Sequence, residues 1–263
     1  MQSFIDIGLN LTDKQFTTDR AEVVERAIQN NVGQMIVTGS NAKGSREGLQ
    51  IAKQYPHILF STAGIHPHDA SEFYQGSINE LRQLAKQEEV VAIGECGLDF
   101  NRMFSPQTIQ EQCFEAQLDL AKEMDMPLFL HVRDAHARFV DMMKNHQDQI
   151  EKSIVHCFTG DKTEVKELIE MGFYIGITGW ICDERRGKEL QEAVQYIPLD
   201  RLMVETDAPY LIPRTLQPKP KHRRNEPAYL PHIVTEIAKY MGVSPEEVAK
   251  HSTENAKRFF HLG

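Results

Sequence analysis

The chain predicts an eight-stranded β/α barrel of the TIM type, (β/α)8, and three observations carry that prediction. Short apolar, β-branched runs recur eight times, and segments with a 3.6-residue apolar period lie between them. Ionisable residues collect where the runs end, which is where barrels place their chemistry. A length of 263 residues suits such a barrel built as one domain, so residues 1–263 are expected to form a single domain.

In chain order the runs are Phe4 to Gly8, Met35 to Thr38, Leu59 to Gly64, Val90 to Glu95, Pro127 to Val132, Ser153 to Phe158, Phe173 to Thr178, and Leu202 to Thr206. Several are apolar on both faces, as parallel strands covered by helices must be. Arg20 to Asn31, Gln107 to Met124 and Thr163 to Met171 read as crossover helices. Their ends carry matching signals. Asn30-Asn31-Val32-Gly33 stops the first, while Ser105-Pro106 opens and Met126-Pro127 closes the longest. Ser244-Pro245-Glu246-Glu247 starts the last helix with a cap, proline at its first position and acids in its first turn. A dinucleotide-binding open sheet would want Gly-x-Gly-x-x-Gly after the first strand, and Gly8-Leu9-Asn10-Leu11-Thr12 does not supply it.

Composition narrows the class. Hydrophobic residues at 41% and charged residues at 25% describe an ordinary soluble globular chain rather than a disordered or fibrous one. A net charge of −9 repels polyanions, so affinity for nucleic acid must come from a local basic patch, which argues against a chromatin-type binder. Met1-Gln2-Ser3-Phe4-Ile5-Asp6 shows no basic leader, and no run of about eighteen apolar residues occurs, so a cytoplasmic protein without membrane contact is expected. A monomer is expected as well, though no residue pattern carries it. Cys96, Cys113, Cys157 and Cys182 lack Cys-x-x-Cys spacing and read as reduced thiols.

The strand ends are unusually polar. Strand one offers Asp6 and Asn10, three His66 and His68, four Glu95 and Asp99, five His131 and Arg133, six His156, and eight Glu205 and Asp207. A lone histidine there is usually a hydrogen-bonded rim residue. Glu95, His131, His156 and Asp207 together occupy equivalent places on four strands, where barrel closure would aim them at one point. A carboxylate at the rim of an apolar core is costly unless something neutralises it. Imidazole and carboxylate donors suit Zn, Mn or another divalent ion, with Mg favoured if oxygens and a substrate phosphate complete the set. The bland alternative is a salt-bridged rim balanced by Arg133, which leaves His131 and His156 without a role.

Five motifs then point to one family: Ala63-Gly64-Ile65-His66-Pro67-His68, Gly94-Glu95-Cys96-Gly97-Leu98-Asp99, His131-Val132-Arg133, His156-Cys157-Phe158-Thr159-Gly160 and Glu205-Thr206-Asp207-Ala208-Pro209-Tyr210. Cys182 to Gly187 and Arg223 to Pro227 match as well. From strand one to Asn255 the chain resembles the TatD family of metal-dependent deoxyribonucleases, among the amidohydrolase-like metallohydrolase barrels. The resemblance implies a 3′–5′ exonuclease on single-stranded DNA and RNA, serving DNA repair or nucleic-acid turnover, with Mg as the first choice of ion and Mn or Zn as alternatives. Many members carry His-x-His at the end of strand one, whereas here Gly8 and Asn10 stand at those positions. The resemblance therefore implies one firmly held ion, at Glu95, His131 and His156, and a second site, with Glu95 and Asp207, that is weak or filled only with substrate present.

Phosphodiester hydrolysis needs an activated water, charge neutralisation and help for the leaving oxygen. Asp207 is expected to be the base that orients the water or a second-metal ligand, and Glu205 to share that face or support a histidine. His66 is expected to contact phosphate or to protonate the leaving 3′ oxygen. Asp99 reads as a supporting or loop residue, and His68 as a loop residue. Substrate contacts are expected from Arg133, Arg223, Arg224 and Tyr210. The last three lie in or beside the proline-rich basic segment Arg214 to Arg224, which includes Lys219 and Lys221. Phe100, Trp180 and Tyr210 are candidate stacking residues. Arg185 and Arg186 either join a phosphate track or pair locally with Asp183 and Glu184. The competing activity is that of a small-molecule amidohydrolase, of deaminase or lactonase type, on the same barrel.

Overall fold

The computed structural model describes residues 3–221 and 223–263. Met1 and Gln2, which enter the leader and domain expectations, and His222 of the basic segment lie outside the described residues. The strands are β1 (Phe4–Leu9), β2 (Val32–Val37), β3 (Leu59–Ala63), β4 (Val90–Asp99), β5 (Leu128–Arg133), β6 (Ser153–Val155), β7 (Tyr174–Ile177) and β8 (Leu202–Val204). The helices are α1 (Arg20–Gln29), α2 (Ala42–Ala52), α3 (Gln75–Leu84), α4 (Gln107–Met124), α5 (His136–Met143), α6 (Lys162–Met171), α7 (Lys188–Ala193), α8 (Leu230–Met241) and α9 (Pro245–Phe260). The strands form one sheet in chain order, β1 to β8. Strands in chain order with helices between them are the topology of a (β/α)8 barrel.

The chain divides into two compact units. One comprises Val37–His156 and Met171–Phe173. In it β3, β4, β5 and β6 pair in parallel, with Thr62 beside Ala92, Gly97 beside His131 and Phe129 beside Ile154. Every position of β4 is buried, as a strand covered on both faces requires. Phe114 of α4 and Phe139 of α5 stack at 5.8 Å between ring centroids, and Phe139 meets Phe173 at 5.6 Å. Fully burying each such ring contributes roughly 1.5–3 kcal/mol.

The other unit comprises the chain up to Ile36, Cys157–Glu170 and Tyr174–Gly263. β7 and β8 pair in parallel, Gly176 beside Met203. Asn10 N–H donates to Ala208 O at 2.7 Å and Asp207 N–H to Gly8 O at 2.9 Å, tying the end of β1 to the segment after β8. Helix α9 opens with the expected cap: Ser244 Oγ accepts from Glu247 N–H, and Glu247 returns a carboxylate to Ser244 N–H. Asn255 of α9 donates to Leu199 O and Leu202 O, both at 2.8 Å, and so anchors the start of β8.

Three expectations about strand ends need correction. Asp6 lies inside β1, fully buried, rather than at its end. β6 and β8 stop after three residues, so His156 and Glu205 begin the loops beyond them. Glu95 does not end β4. Pairing of Cys96–Asp99 with Leu130–Arg133 carries the strand four residues further, because β5 continues to supply a partner after the apolar pattern stops.

Candidate active site

Glu95 occupies an irregularity in β4. The register against β5 shifts between Gly94 and Cys96, and Glu95 N–H turns away to Gly39 O at 2.8 Å. Glycine on either side makes this possible. Gly94 and Gly97 both hold φ at +143°, a region L side chains avoid. A Cβ at Gly94 would stand 2.2 Å from Phe129 O, and one at Gly97 would stand 2.0 Å from His131 O. The spacing of Gly94-Glu95-Cys96-Gly97 thus lets β5 come close to β4 around a carboxylate.

Three imidazoles converge on Glu95 Oε1. His156 Nε2 lies at 2.7 Å, His131 Nδ1 at 2.9 Å and His66 Nε2 at 3.2 Å. Donor atoms of His66, Glu95 and His131 all fall within 4.8 Å of one another. His131 is bracketed from its other side, since its Nε2 is 3.3 Å from Asp99 Oδ2. That nitrogen is buried and the contact does not have hydrogen-bond geometry. Asp99 is in turn held by His68 Nε2 at 2.7 Å and by the N–H groups of Asn101 and Arg102.

Burial pushes the Glu95 carboxyl up, but the surrounding His156, His66 and His131 outweigh it and hold it well below the usual carboxylate range. Burial likewise opposes charge on Asp99, and its contacts with His131, His68 and the Arg102 N–H prevail, so it too is held far below that range. His131 is pushed down by burial and up by Asp99 and Glu95, and the carboxylates win. His66 goes the other way, driven down chiefly by burial. Its Nδ1 accepts from His68 N–H at 3.0 Å, which leaves the proton of the neutral ring on Nε2.

These tautomers test whether the residues suit a metal ion. A liganding imidazole needs one bare nitrogen and an acceptor for the other N–H. His131 satisfies this: Nδ1 faces Glu95, and the Asp99 carboxylate stands beside Nε2 where an acceptor is required. The two carboxylates that favour a proton on His131 favour a cation there for the same reason. Glu95 and His131 therefore fit a divalent ion, and His156 Nε2 lies 2.7 Å from the same Glu95 oxygen. His66, whose donor atom also falls within this group, carries the neutral ring's proton on Nε2 and is set up to donate through it.

The remaining expected residues are placed as follows. Arg133 ends β5 two residues beyond His131, half-buried, with Nε 3.8 Å from Asp134 Oδ1. In the other unit, Asp207 has a left-handed φ of 54° and accepts from Asn10 Nδ2 at 2.8 Å. Asn10, which stands where many relatives carry histidine, is thus engaged with that carboxylate. Glu205 is buried and accepts from Cys157 N–H at 2.5 Å. Asp6 accepts from Thr206 N–H at 2.9 Å and bonds its hydroxyl at 2.5 Å, and burial pushes its carboxyl up to about 8.

The Arg224 guanidinium donates to Asp19 at 2.6 and 2.8 Å, to Glu226 at 2.7 Å and to Gln15 O at 2.6 Å, which clamps it between two carboxylates. Arg223, Lys219 and Lys221 are exposed. Tyr210 is exposed, with its hydroxyl donating to Asp13 Oδ2 at 2.8 Å. Arg186 pairs with Asp183 at 2.9 Å and lies 4.5 Å over the Trp180 ring, and Glu184 pairs with Arg214, so the local-pairing alternative is the one observed. All four cysteines are free thiols. No helix of the described residues is long and apolar enough to cross a membrane.

Eight strands in chain order and a cluster of imidazoles around a buried carboxylate define a metal-dependent hydrolase of the (β/α)8 class. The sequence profile of the family described as TatD related DNase matches residues 5–261. The chain belongs to this TatD family, and with it to the metal-dependent nucleases. A protein from Pectobacterium atrosepticum named 3′-5′ ssDNA/RNA exonuclease TatD is 51% identical over 257 residues, covering 98% of this chain and 99% of its own. One of the same name from Salmonella typhimurium is also 51% identical, covering 98% of each. Among solved structures, a TatD homologue from Escherichia coli superposes with a TM-score of 0.90 at 27% identity, covering 99% of this chain and 98% of that one. A lactonase from Listeria monocytogenes, at 14% identity and a TM-score of 0.70, shares the fold alone.

Proposed function

We propose that the chain is a divalent-metal-dependent exonuclease that shortens single-stranded DNA and RNA from the 3′ end. The observation that carries the chemistry is the convergence of His156, His131 and His66 on Glu95 Oε1. The direction and the substrate rest on the names of the relatives at 51% identity.

Glu95, His131 Nδ1 and His156 would hold the ion, which supplies charge neutralisation at the phosphate and an acidified water. Asp99 fixes the ring of His131 from behind, and His68 fixes Asp99. His66 donates a hydrogen bond from Nε2–H to a phosphate oxygen. Its depressed basicity makes a hydrogen-bond donor a better role for it than a general acid at neutral pH. Asp207 would serve as the base toward the attacking water while the leaving 3′ oxygen takes its proton from solvent, and Glu205, through the Cys157 N–H, supports the segment that follows His156. Arg133 contacts phosphate, as do Arg223 and its neighbouring lysines. Two imidazoles and one carboxylate suit Mn or Zn on donor chemistry, with Mg served where phosphate oxygens complete the set. We take residues 1–263 as one catalytic domain, acting in DNA repair or nucleic-acid turnover.

The test is a gel assay with 5′-labelled single-stranded DNA and Mg, Mn or Zn, with and without chelator. A metal-dependent ladder shortening from the 3′ end, absent in Glu95→Ala, is expected. Cleavage that persists in chelator or in that variant would sink the reading.

A further inference from the structure

We propose that Phe104, on the loop between β4 and α4, is the platform on which a base next to the scissile phosphate stacks. The inference rests on the nuclease reading and adds a residue that sets how the strand is presented to the cluster. Phe104 is 65% exposed, and its neighbour Met103 is 43% exposed with a left-handed φ of 51°. An exposed ring is unremarkable on a mobile loop, but this loop is pinned on both sides of the ring. Before it, Asp99 Oδ1 accepts from the N–H groups of Asn101 and Arg102. After it, Ser105 is fully buried, donating to His68 O at 3.0 Å and accepting from Ser71 N–H at 2.9 Å. Gln110 completes the anchorage, donating to Asp99 O and Ser105 O. The backbone is thereby fixed in a form that keeps the ring out of the core.

What the ring is held against gives it a use. Phe104 meets His68 edge-to-face, with centroids 4.8 Å apart and planes at 89°. His68 is 4.2 Å from His66, whose Nε2 belongs to the cluster, and 2.7 Å from Asp99, which backs His131. Three successive contacts, Phe104 to His68, His68 to His66 and His66 to Glu95, thus link the ring to the carboxylate proposed to hold the metal. With 65% of the residue exposed, the ring offers surface on which any base can lie. The exposed Arg102 beside it offers a cation for the backbone of the same nucleotide. The other aromatic candidates are engaged otherwise: Trp180 lies under Arg186, the Tyr210 hydroxyl bonds Asp13, and Phe100 is half-buried.

The experiment compares the Mn-loaded full chain with Phe104→Ala, Phe104→Leu and Phe104→Trp. Substrates are a single-stranded oligonucleotide and versions carrying one abasic residue at the 3′-terminal or the penultimate position. For wild type, removing the stacked base should lower kcat/KM by about five-fold to a hundred-fold, mainly through KM. Phe104→Ala and Phe104→Leu should cleave intact and abasic oligonucleotides at the same reduced efficiency, and Phe104→Trp should restore the preference for a base. Manganese affinity should not change in any variant. The proposal is overturned if Phe104→Leu keeps the wild-type preference, which would make the ring a packing residue for His68. It is also overturned if the variants slow every substrate while still discriminating against the abasic ones. Failure of wild type to cleave any oligonucleotide with metal would instead reject the nuclease reading, and this inference with it.

Discussion

Glu95 keeps its charge in an almost water-free place because imidazoles surround it, and those imidazoles are in turn oriented by groups further out. Asp99 is the clearest of these. Replacing it with Asn preserves the shape but leaves His131 Nε2 beside a weaker acceptor. Asp99→Asn should therefore weaken Mn binding by about 10- to 100-fold with the circular dichroism spectrum unchanged, as titration calorimetry would show. Asp6 makes a different use of burial. With its folded pKa near 8, it keeps a proton that the unfolded chain releases once the pH exceeds the ordinary carboxylate range. Stability should fall as pH rises from about 4 to about 8 and level off above. Asp6→Asn imitates the protonated form, including its bond to the Thr206 hydroxyl, so its urea midpoint should vary less across that window than the wild-type midpoint. Equal pH dependence of the two proteins would show that Asp6 is not the group responsible.

At the scale of elements, β4 and β5 make the site by approaching more closely than side chains normally allow. Gly97→Ala would push a methyl group into His131 O, and its φ of +143° is strained for alanine even without that clash. The variant should lose metal binding together with stability, visible as a lowered thermal midpoint and weaker Mn uptake in the same protein. This close approach also explains what could be read from the residues beforehand. The eight apolar runs are local patterns that locate each strand but not its ends, whereas helix α4, at Gln107–Met124, is legible to the residue. The end of β4 was not, because a run that reads apolar up to Ile93 gives no hint that a partner strand continues to pair with Cys96–Asp99. The grouping of Glu95, His131 and His156 followed from their equivalent places on adjacent strands. Asp99 acting on His131, Arg224 clamped by Asp19 and Glu226, and Phe104 held against His68 depend on loop geometry that no periodicity encodes.

For the whole molecule, a net charge of −9 sets the terms of binding a polyanion. Attraction must be local, and Lys219, Lys221 and Arg223 are exposed cations of the basic segment, while the equally exposed Arg214 is paired with Glu184. Affinity for single-stranded DNA should fall steeply with salt, and replacing those three residues with Ser should make the log–log slope shallower by about 2. An unchanged slope would mean the segment is merely solvated. The central claim, that Glu95 is the principal carboxylate of a single divalent-ion site, is tested most directly by counting metal. Titration of apo protein with Mn, followed by elemental analysis after dialysis, should find one tightly held ion per wild-type chain and none in Glu95→Gln, both proteins having the same circular dichroism spectrum. One ion retained by Glu95→Gln with undiminished affinity would contradict the account.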